Sequence, residues 1–303
     1  MTPGTTSTTG MTPSSPTGRM FGCGTALVTP FGADGDVDER ALRELVEWQV
    51  AEGIHYLVPA GSTGEAVTLT LAEHRRVVEI VVDQVKGRVP VVAGAGSNDT
   101  AKAVQLSREM QAAGATHLLH VSPMYNKPPQ RGILAHFRAV ADATTLPIVI
   151  YNVPGRTGSN IEARTTLTLA EDPRFVAVKE ASGNLVQIGD ILAGRPERFA
   201  VLSGDDALTL AVMAHGGDGV ISVTSNATPR LMARLCDLVR AGDLAAARGV
   251  HEQLLPWMHA AFVESNPIPA KAALARMGRI RDRLRLPLVP LADAHRETVR
   301  SAL

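Results

Sequence analysis

Short apolar runs alternate with amphipathic stretches along most of the chain. Each run is almost continuously apolar, which is typical of parallel strands that are buried on both faces. The stretches between them mix polar and apolar residues with helical spacing, as in helices that cover a sheet. The runs are Thr25–Val28, Ile54–Val58, Pro90–Ala93, His117–Val121, Pro147–Tyr151, Phe175–Lys179, Phe199–Leu202 and Gly219–Val223.

This alternation predicts an α/β protein with a (β/α)8 TIM barrel over residues 20–242. A doubly wound open sheet is the alternative arrangement for the same pattern. One helix start is marked clearly, because Thr70 precedes the segment Leu71–Lys86 and Glu73 follows three residues later, as in a capping box.

The two ends of the chain depart from the barrel pattern. Residues 1–19 are rich in Thr, Ser, Pro and Gly and lack the hydrophobic stretch of a signal peptide, so we expect a disordered tail. Asp243–Glu264 and Pro269–Gly278 have helical patterns without strands between them. We therefore interpret residues 243–303 as a C-terminal helical region.

Composition excludes several classes of protein. The formal net charge is zero, so no basic surface indicates nucleic acid or an anionic membrane as a partner. No apolar run approaches the length of about 18 residues that spans a bilayer, and we expect a cytoplasmic protein. The two cysteines, Cys23 and Cys236, are far apart and form neither a disulfide framework nor a thiolate metal site in this interpretation.

Lys179 is the first candidate for catalysis. It ends the apolar run that begins at Phe175, and active sites of barrels lie where the strands end. Burial there would favour the neutral amine, which can attack a carbonyl carbon. The alternative is a lysine whose ammonium group simply reaches water at the end of a strand.

Two loops after strands supply further polar groups. Gly61-Ser62-Thr63-Gly64-Glu65 offers two hydroxyls and close backbone approach, and it lacks the lysine of a phosphate-binding P-loop. Tyr151 can transfer a proton at a strand end, and Arg156 can hold a carboxylate with two hydrogen bonds. Taken alone, each loop could equally be structural.

Other polar clusters indicate structure rather than chemistry. Asp205 and Asp206 stand before a predicted helix, where capping is the better interpretation. His117 and His120 are three residues apart on a predicted strand and would face opposite sides, so they would not chelate a metal.

Several strings together resemble the dihydrodipicolinate synthase family, whose members are pyruvate-dependent class I aldolases. The resemblance extends from about Met20 to the C-terminus, and the order and spacing of the strings make it specific. The strings are GSTGE at 61–65, PMYNKP at 123–128, YNVPGRTG at 151–158, VKEASGN at 178–184, SGDD at 203–206, GVISVT at 219–224, FVESNPIP at 262–269 and RLP at 285–287.

The resemblance implies a reaction and a set of residues for it. Lys179 would form a Schiff base with pyruvate, and the derived enamine would attack L-aspartate 4-semialdehyde in the diaminopimelate route to lysine. The remaining implied roles are proton relay for Tyr151, Thr63 and Tyr125, a hydroxyl for binding at Ser62, a carboxylate anchor at Arg156, and the lining of the lysine pocket at Gly204 and Ile221.

The resemblance also implies partners and the absence of a cofactor. No metal or organic cofactor is expected, because the imine itself accepts the electron pair. In the family the tyrosine that matches Tyr125 reaches into the neighbouring subunit's site, so we expect a homo-oligomer, a tetramer built as a dimer of dimers.

The chain departs from the family at the site where feedback-inhibited members bind free lysine. Leu71, Lys102 and Met124 stand where those members have a His, a Glu and a Tyr. His74 and Asn98 match retained positions. The sequence therefore predicts that free lysine does not inhibit this enzyme.

Two other functions compete with this one. N-acetylneuraminate lyases and 2-keto-3-deoxy-sugar-acid aldolases resemble the chain at GSTGE and at the lysine, but they are not expected to carry the Gly155-Arg156 pair. A non-catalytic keto-acid-binding barrel would have lost Lys179 or the relay residues, and all of them are present.

Overall fold

The computed structural model describes residues 19–303, so the predicted tail lies outside the described residues except for Arg19. Eight strands alternate with helices along the described chain. The strands are β1 Gly22–Ala26, β2 Tyr56–Val58, β3 Val92–Gly94, β4 His117–Val121, β5 Ile148–Asn152, β6 Phe175–Glu180, β7 Ala200–Ser203 and β8 Gly219–Ser222.

Twelve α-helices lie within the same residues. They are α1 Glu39–Ala51, α2 Leu71–Val85, α3 Thr100–Ala112, α4 Gln130–Ala141, α5 Pro154–Thr157, α6 Ala163–Ala170, α7 Leu185–Gly194, α8 Thr209–Ala214, α9 Pro229–Arg240, α10 Leu244–Ala260, α11 Ile268–Arg276 and α12 Asp293–Ser301. Short 3₁₀ segments cover residues 66–68, 206–208 and 224–226.

The sheet closes into a barrel. All strand pairs are parallel, and the order around the sheet is β2-β1-β8-β7-β6-β5-β4-β3. A parallel bridge between Leu57 and Val91 joins the two remaining edges. The TIM-barrel prediction is confirmed, and the open-sheet alternative is wrong because no free edge separates β2 from β3.

Side chains from the strands fill the inside of the barrel. The Tyr56 ring occupies the space beside Gly24, where a Cβ would lie only 1.9 Å from Tyr56 Cε2. The buried Tyr56 hydroxyl donates to the Val220 carbonyl oxygen at 3.0 Å, so its burial leaves no unpaired polar group. This packed floor confines any ligand to one end of the barrel.

The strand and helix predictions differ from the structure mainly at element ends. The first strand begins at Gly22, three residues before the predicted run, because glycines in that stretch hid the extended segment. The capping box is confirmed, since Thr70 Oγ1 accepts from the Glu73 backbone N–H and the Glu73 carboxylate accepts from the Thr70 backbone N–H.

The C-terminal helices α10 and α11 extend the apolar core outside the barrel. Ala247, Val250 and Leu254 of α10 belong to the same buried cluster as Leu42 and Leu45 of α1. The predicted helical segments match α10 and α11, whereas α12 was not predicted. Its only buried residue is Val299, so its sequence carries little apolar periodicity.

The remaining polar predictions have mixed outcomes. Asp205 caps the following 3₁₀ turn through the Ala207 N–H, as predicted. Asp206 instead accepts hydrogen bonds from the backbone and side chain of Thr224, which ties β7 to β8, and burial raises its pKa. Cys23 and Cys236 are both buried and free.

Residues 19–303 contain neither a candidate metal cluster nor a helix that could span a membrane. In that part of the chain no cluster of three or more His, Cys, Asp or Glu side chains could hold a metal ion. None of its helices is both long enough and apolar enough to span a bilayer.

Candidate active site

A cavity of about 260 Å³ opens at the carboxyl ends of the strands. Every strand contributes to its wall, either with its last residues or with the residue that follows it. The predicted site residues that line it are Ser62, Thr63, Tyr151, Arg156, Lys179 and Gly204.

Lys179 enters the cavity from β6. The register of the sheet pairs it with Tyr151 on β5, and Lys179 Nζ lies 4.2 Å from the centre of the Tyr151 ring. The lysine is 5% exposed. Gly204 provides space for it, because a Cβ on that residue would lie 3.1 Å from both Lys179 Cε and Cγ.

No ion pair holds the Lys179 ammonium group in the described part of the chain. No carboxylate oxygen of residues 19–303 lies within 4.0 Å of its Nζ. The aromatic face of Tyr151 attracts a cation only weakly compared with a buried carboxylate. Lys179 Nζ therefore faces the cavity without a carboxylate partner, where a carbonyl carbon can reach it.

Two hydrogen bonds from other parts of the chain hold the loop that contains Ser62 and Thr63. Thr63 is 3% exposed, and its Oγ1 accepts a hydrogen bond from Asn266 Nδ2 at 2.9 Å. The Gly64 carbonyl accepts from Thr29 Oγ1 at 2.7 Å. These contacts place the two hydroxyls of the loop on the cavity wall.

Glu65, the last residue of that loop, points away from the cavity into a buried ion pair. Its Oε1 lies 2.5 Å from Lys271 Nζ, and its Oε2 accepts from the Arg285 backbone N–H at 3.0 Å. Lys271 is completely buried, whereas the sequence indicated only a lysine on a helix. Sequence reasoning missed this pair because its partners are 206 residues apart.

Arg156 lies in the short helix α5, directly after β5. Its Nη2 donates to the Asn266 carbonyl oxygen at 3.2 Å, and its side chain lines the cavity. The remaining donors of the guanidinium group have no protein acceptor among residues 19–303. They are free to bind a ligand carboxylate.

Two predicted residues do not line the cavity. Tyr125 is 87% exposed on the loop after β4, with its backbone in the left-handed region at φ 72° and its N–H bonded to the Thr157 carbonyl. Ile221 is fully buried in the apolar cluster inside the barrel, opposite Gly24 on β1. Within one chain, Tyr125 and Lys179 are therefore not brought together.

The cavity also contains residues that the sequence did not predict for the active site. His74, Asp205, Phe262 and Asn266 line it together with the predicted set. His74 Nε2 lies 2.8 Å from the Gly94 carbonyl, and burial lowers the pKa of this histidine. Asn266 appeared only inside a family string, and no local pattern marked it as part of a site.

Comparisons with known proteins agree with this geometry. The model of the dihydrodipicolinate synthetase family matches residues 19–303. The chain belongs to this family. The prediction made from the sequence strings is thereby confirmed.

Individual relatives extend the match over nearly the whole chain. The 4-hydroxy-tetrahydrodipicolinate synthase of Koribacter versatilis is 52% identical, over 92% of this chain and 93% of its own. A dihydrodipicolinate synthase from Acinetobacter baumannii, solved with pyruvate, is 40% identical with a TM-score of 0.91, covering 93% of this chain and 97% of its own.

A third relative concerns regulation. The Cyanidioschyzon merolae member of the dihydrodipicolinate synthetase family was solved with lysine bound; it is 42% identical with a TM-score of 0.91, covering 94% of this chain and 97% of its own. At the three positions predicted to differ from lysine-binding family members, Leu71 is 41% exposed, Lys102 is exposed, and Met124 lines the cavity.

Members of the dihydrodipicolinate synthetase family are lyases of the class I aldolase type, and the chain is an enzyme of this class. The comparisons support the 4-hydroxy-tetrahydrodipicolinate synthase function over that of the sugar-acid aldolases.

Proposed function

We propose that this enzyme condenses pyruvate with L-aspartate 4-semialdehyde to give 4-hydroxy-tetrahydrodipicolinate, with Lys179 as the Schiff-base nucleophile. The observation that carries the proposal is the buried Lys179 amine, which faces the cavity with no carboxylate of residues 19–303 within 4.0 Å. An amine that is not held as an ammonium ion by a carboxylate can attack a keto carbon.

The chemistry proceeds in four bond-forming or bond-breaking stages. Lys179 Nζ attacks C2 of pyruvate, and water leaves to form an imine. The imine draws an electron pair from the adjacent methyl group, which loses a proton and becomes the enamine. The enamine carbon then attacks the aldehyde carbon of the second substrate. Finally, the amino group of that substrate attacks the imine carbon and releases Lys179.

Hydroxyl groups near the amine supply the proton transfers. Tyr151 stacks against Lys179 Nζ at 4.2 Å, and Thr63 presents its hydroxyl on the same cavity wall. A positioned hydroxyl can carry protons to and from the leaving water and the aldehyde oxygen. We assign Tyr151 and Thr63 to this relay, and Ser62 to binding of the pyruvate carboxylate.

Arg156 provides the anchor for the second substrate. Its guanidinium group lines the cavity and keeps donors free for two parallel hydrogen bonds with a carboxylate. The carboxylate of the semialdehyde would bind there and would turn the aldehyde toward the enamine on Lys179. A sugar-acid substrate would not need this charge at the same place.

Tyr125 completes the relay in the site of a neighbouring subunit. Tyr125 is 87% exposed and does not line the cavity of its own chain, so its hydroxyl is accessible to a neighbouring subunit. We expect a homodimer at least, and a tetramer as a pair of dimers. Hybrids of Tyr125→Phe and Lys179→Ala chains should regain activity at the site that combines intact Lys179 with the neighbour's intact Tyr125. Hybrids without activity would place Tyr125 outside the relay.

The decisive test is a coupled assay with pyruvate and L-aspartate 4-semialdehyde, run beside cleavage of N-acetylneuraminate and of a 2-keto-3-deoxy-sugar acid. We expect turnover only with the first pair. Cleavage of either sugar acid at a higher kcat/KM would assign the enzyme to the competing aldolases, and no turnover in any arm would favour a binding protein.

Free L-lysine should not inhibit the enzyme. Lys102 introduces a positive charge where a carboxylate would have to receive the ammonium group of the ligand, and like charges repel. Leu71 and Met124 offer no hydrogen bonds to the ligand's polar groups. A titration of activity and a calorimetric titration without substrate check this, and half-inhibition below about 1 mM, corresponding to binding of about 4 kcal/mol or more, would contradict it.

A further inference from the structure

Asn266 connects two parts of the cavity that carry the proposed chemistry. Its side-chain Nδ2 donates to Thr63 Oγ1 at 2.9 Å, and its backbone carbonyl accepts from Arg156 Nη2 at 3.2 Å. The residue is 6% exposed and lines the cavity immediately before α11. It therefore contacts both a relay hydroxyl and the carboxylate anchor.

The hydrogen bond between Asn266 and Thr63 has a chemical direction. An amide N–H can only donate, so it occupies a lone pair of the Thr63 hydroxyl oxygen. The hydroxyl proton of Thr63 stays available, and it is donated to no acceptor among residues 19–303. A hydroxyl held in this way is prepared to give its proton to a group in the cavity.

Buried contacts on both sides hold this hydrogen bond in place. Glu65, two residues after Thr63, pairs with Lys271, which lies on α11 five residues after Asn266. Lys271 Nζ donates in addition to the Arg283 carbonyl at 2.8 Å, and its ammonium group lies 4.1 Å from the centre of the Phe31 ring. Since the Glu65–Lys271 ion pair joins the loop to α11 next to this hydrogen bond, Thr63 and Asn266 cannot easily separate.

We propose that Asn266 is a positioning residue that fixes the direction of the proton relay at Thr63. By donating to Thr63 Oγ1, it keeps the Thr63 proton pointed into the cavity, toward the Tyr151 oxygen or the substrate. The C-terminal helical region thus supplies a part of the catalytic geometry that the barrel strands do not provide. This inference rests on the proposed function of the site.

The test compares Asn266→Ala with Asn266→Asp. An aspartate has nearly the same shape as asparagine, but its carboxylate can only accept, so it would draw the Thr63 proton out of the cavity. We expect exchange of the pyruvate methyl protons with deuterated solvent to slow about tenfold in Asn266→Ala and about a hundredfold in Asn266→Asp. The same order should hold for kcat, with little change in the KM for pyruvate.

A purely structural role predicts the opposite order, because aspartate fills the volume that alanine leaves empty. The control is the same pair of substitutions in a Thr63→Val background. Exchange of the pyruvate methyl protons is measured for these double variants over long times, and the exchange rate without enzyme is subtracted. There the two variants should exchange at equal rates, because the hydroxyl on which Asn266 acts has been removed. If the negative charge introduced by Asn266→Asp acted directly on Lys179 or Arg156, the exchange rates of the two double variants would still differ.

The outcomes separate this inference from the proposed function. If Asn266→Asp were as active as Asn266→Ala or more so, or if their difference persisted with Thr63→Val, the positioning role would be wrong while the aldolase function stood. If the wild-type enzyme neither exchanged pyruvate protons nor trapped pyruvate with borohydride, both would be wrong.

Discussion

Lys179 and Lys271 are both buried, but only one of them faces a charged partner. Lys179 is 5% exposed and Lys271 is completely buried. The Lys271 ammonium lies 2.5 Å from a Glu65 oxygen, whereas no carboxylate oxygen of residues 19–303 lies within 4.0 Å of Lys179 Nζ. Burial by itself therefore does not identify a nucleophilic lysine, and the partner of the amine decides its role.

The difference follows from the cost of burying charge. Burial lowers the pKa of Lys271 to about 8, and the Glu65 carboxylate opposes that effect. The carboxylate holds the ammonium form, so Lys271 serves as a structural cation that joins α11 to the loop before α2. Lys179 instead faces an open cavity, in which a carbonyl substrate can reach its amine.

Replacing each lysine separately gives the largest expected contrast. In Lys179→Ala, activity should fall by roughly three orders of magnitude or more, as for loss of other covalent nucleophiles. Borohydride with pyruvate should label the wild type and Lys271→Met at Lys179, and should not label Lys179→Ala. Peptide mass mapping of the reduced adduct checks this. A label on Lys271 would reverse the roles assigned to the two lysines.

Breaking the buried ion pair should destabilise the fold strongly. Lys271→Met leaves the Glu65 carboxylate buried without its cation, which costs about 3–5 kcal/mol in the free energy of unfolding. Adding Glu65→Gln should recover part of this loss, because a neutral amide replaces the unpaired charge. Denaturant unfolding of both single variants and the double variant measures the coupling. A double variant as unstable as the sum of the two would contradict the pairing.

Removing Arg156 tests whether different residues of the cavity bind the two substrates. Arg156→Ala should still form the imine at Lys179, but kcat/KM for L-aspartate 4-semialdehyde should fall about tenfold to a hundredfold, because a charge-assisted hydrogen bond contributes about 1.5–3 kcal/mol. Arg156→Lys is the matched control, since it keeps the charge and loses the paired geometry. Unchanged efficiency in Arg156→Ala would show that the anchor lies elsewhere.

His120 is a third buried basic residue, and it differs from Lys271 because burial favours its neutral form. Burial lowers the pKa of His120 to about 3, well below the ordinary value of 6.5. The unfolded chain therefore binds the proton first, and stability falls as the pH decreases from 6.5 toward 3. The contribution of His120 to this loss is about 1.4 kcal/mol per pH unit.

His120→Asn should reduce this acid sensitivity, and His215→Gln on the exposed surface serves as the control. Denaturant unfolding between about pH 6.5 and 4.5, the range in which the unfolded histidine gains its proton, checks the slope. An unchanged slope in His120→Asn would mean that this histidine is protonated in the folded protein.

Much of the barrel could be predicted because its signals are local. Most of the buried strands are nearly continuous apolar runs, and the α2 capping box needs only Thr70 and Glu73. The first strand and α12 escaped accurate prediction for the same reason. Gly22 and Gly24 carry no apolar side chain, and α12 buries only Val299. The hydrophobic pattern of both segments is therefore too weak to predict their bounds.

In the site, local sequence was enough to show which strand ends and loops carry reactive groups. Lys179, Tyr151 and Thr63 each follow or end a strand, and parallel strands of a barrel bring their carboxyl ends to one rim. Tertiary structure alone decided the partners: that Glu65 neutralises Lys271, and that Asn266 reaches Thr63 across 203 residues of sequence. These contacts depend on how the C-terminal helices close over the barrel, and no local periodicity encodes a hydrogen bond between residues so far apart in the chain.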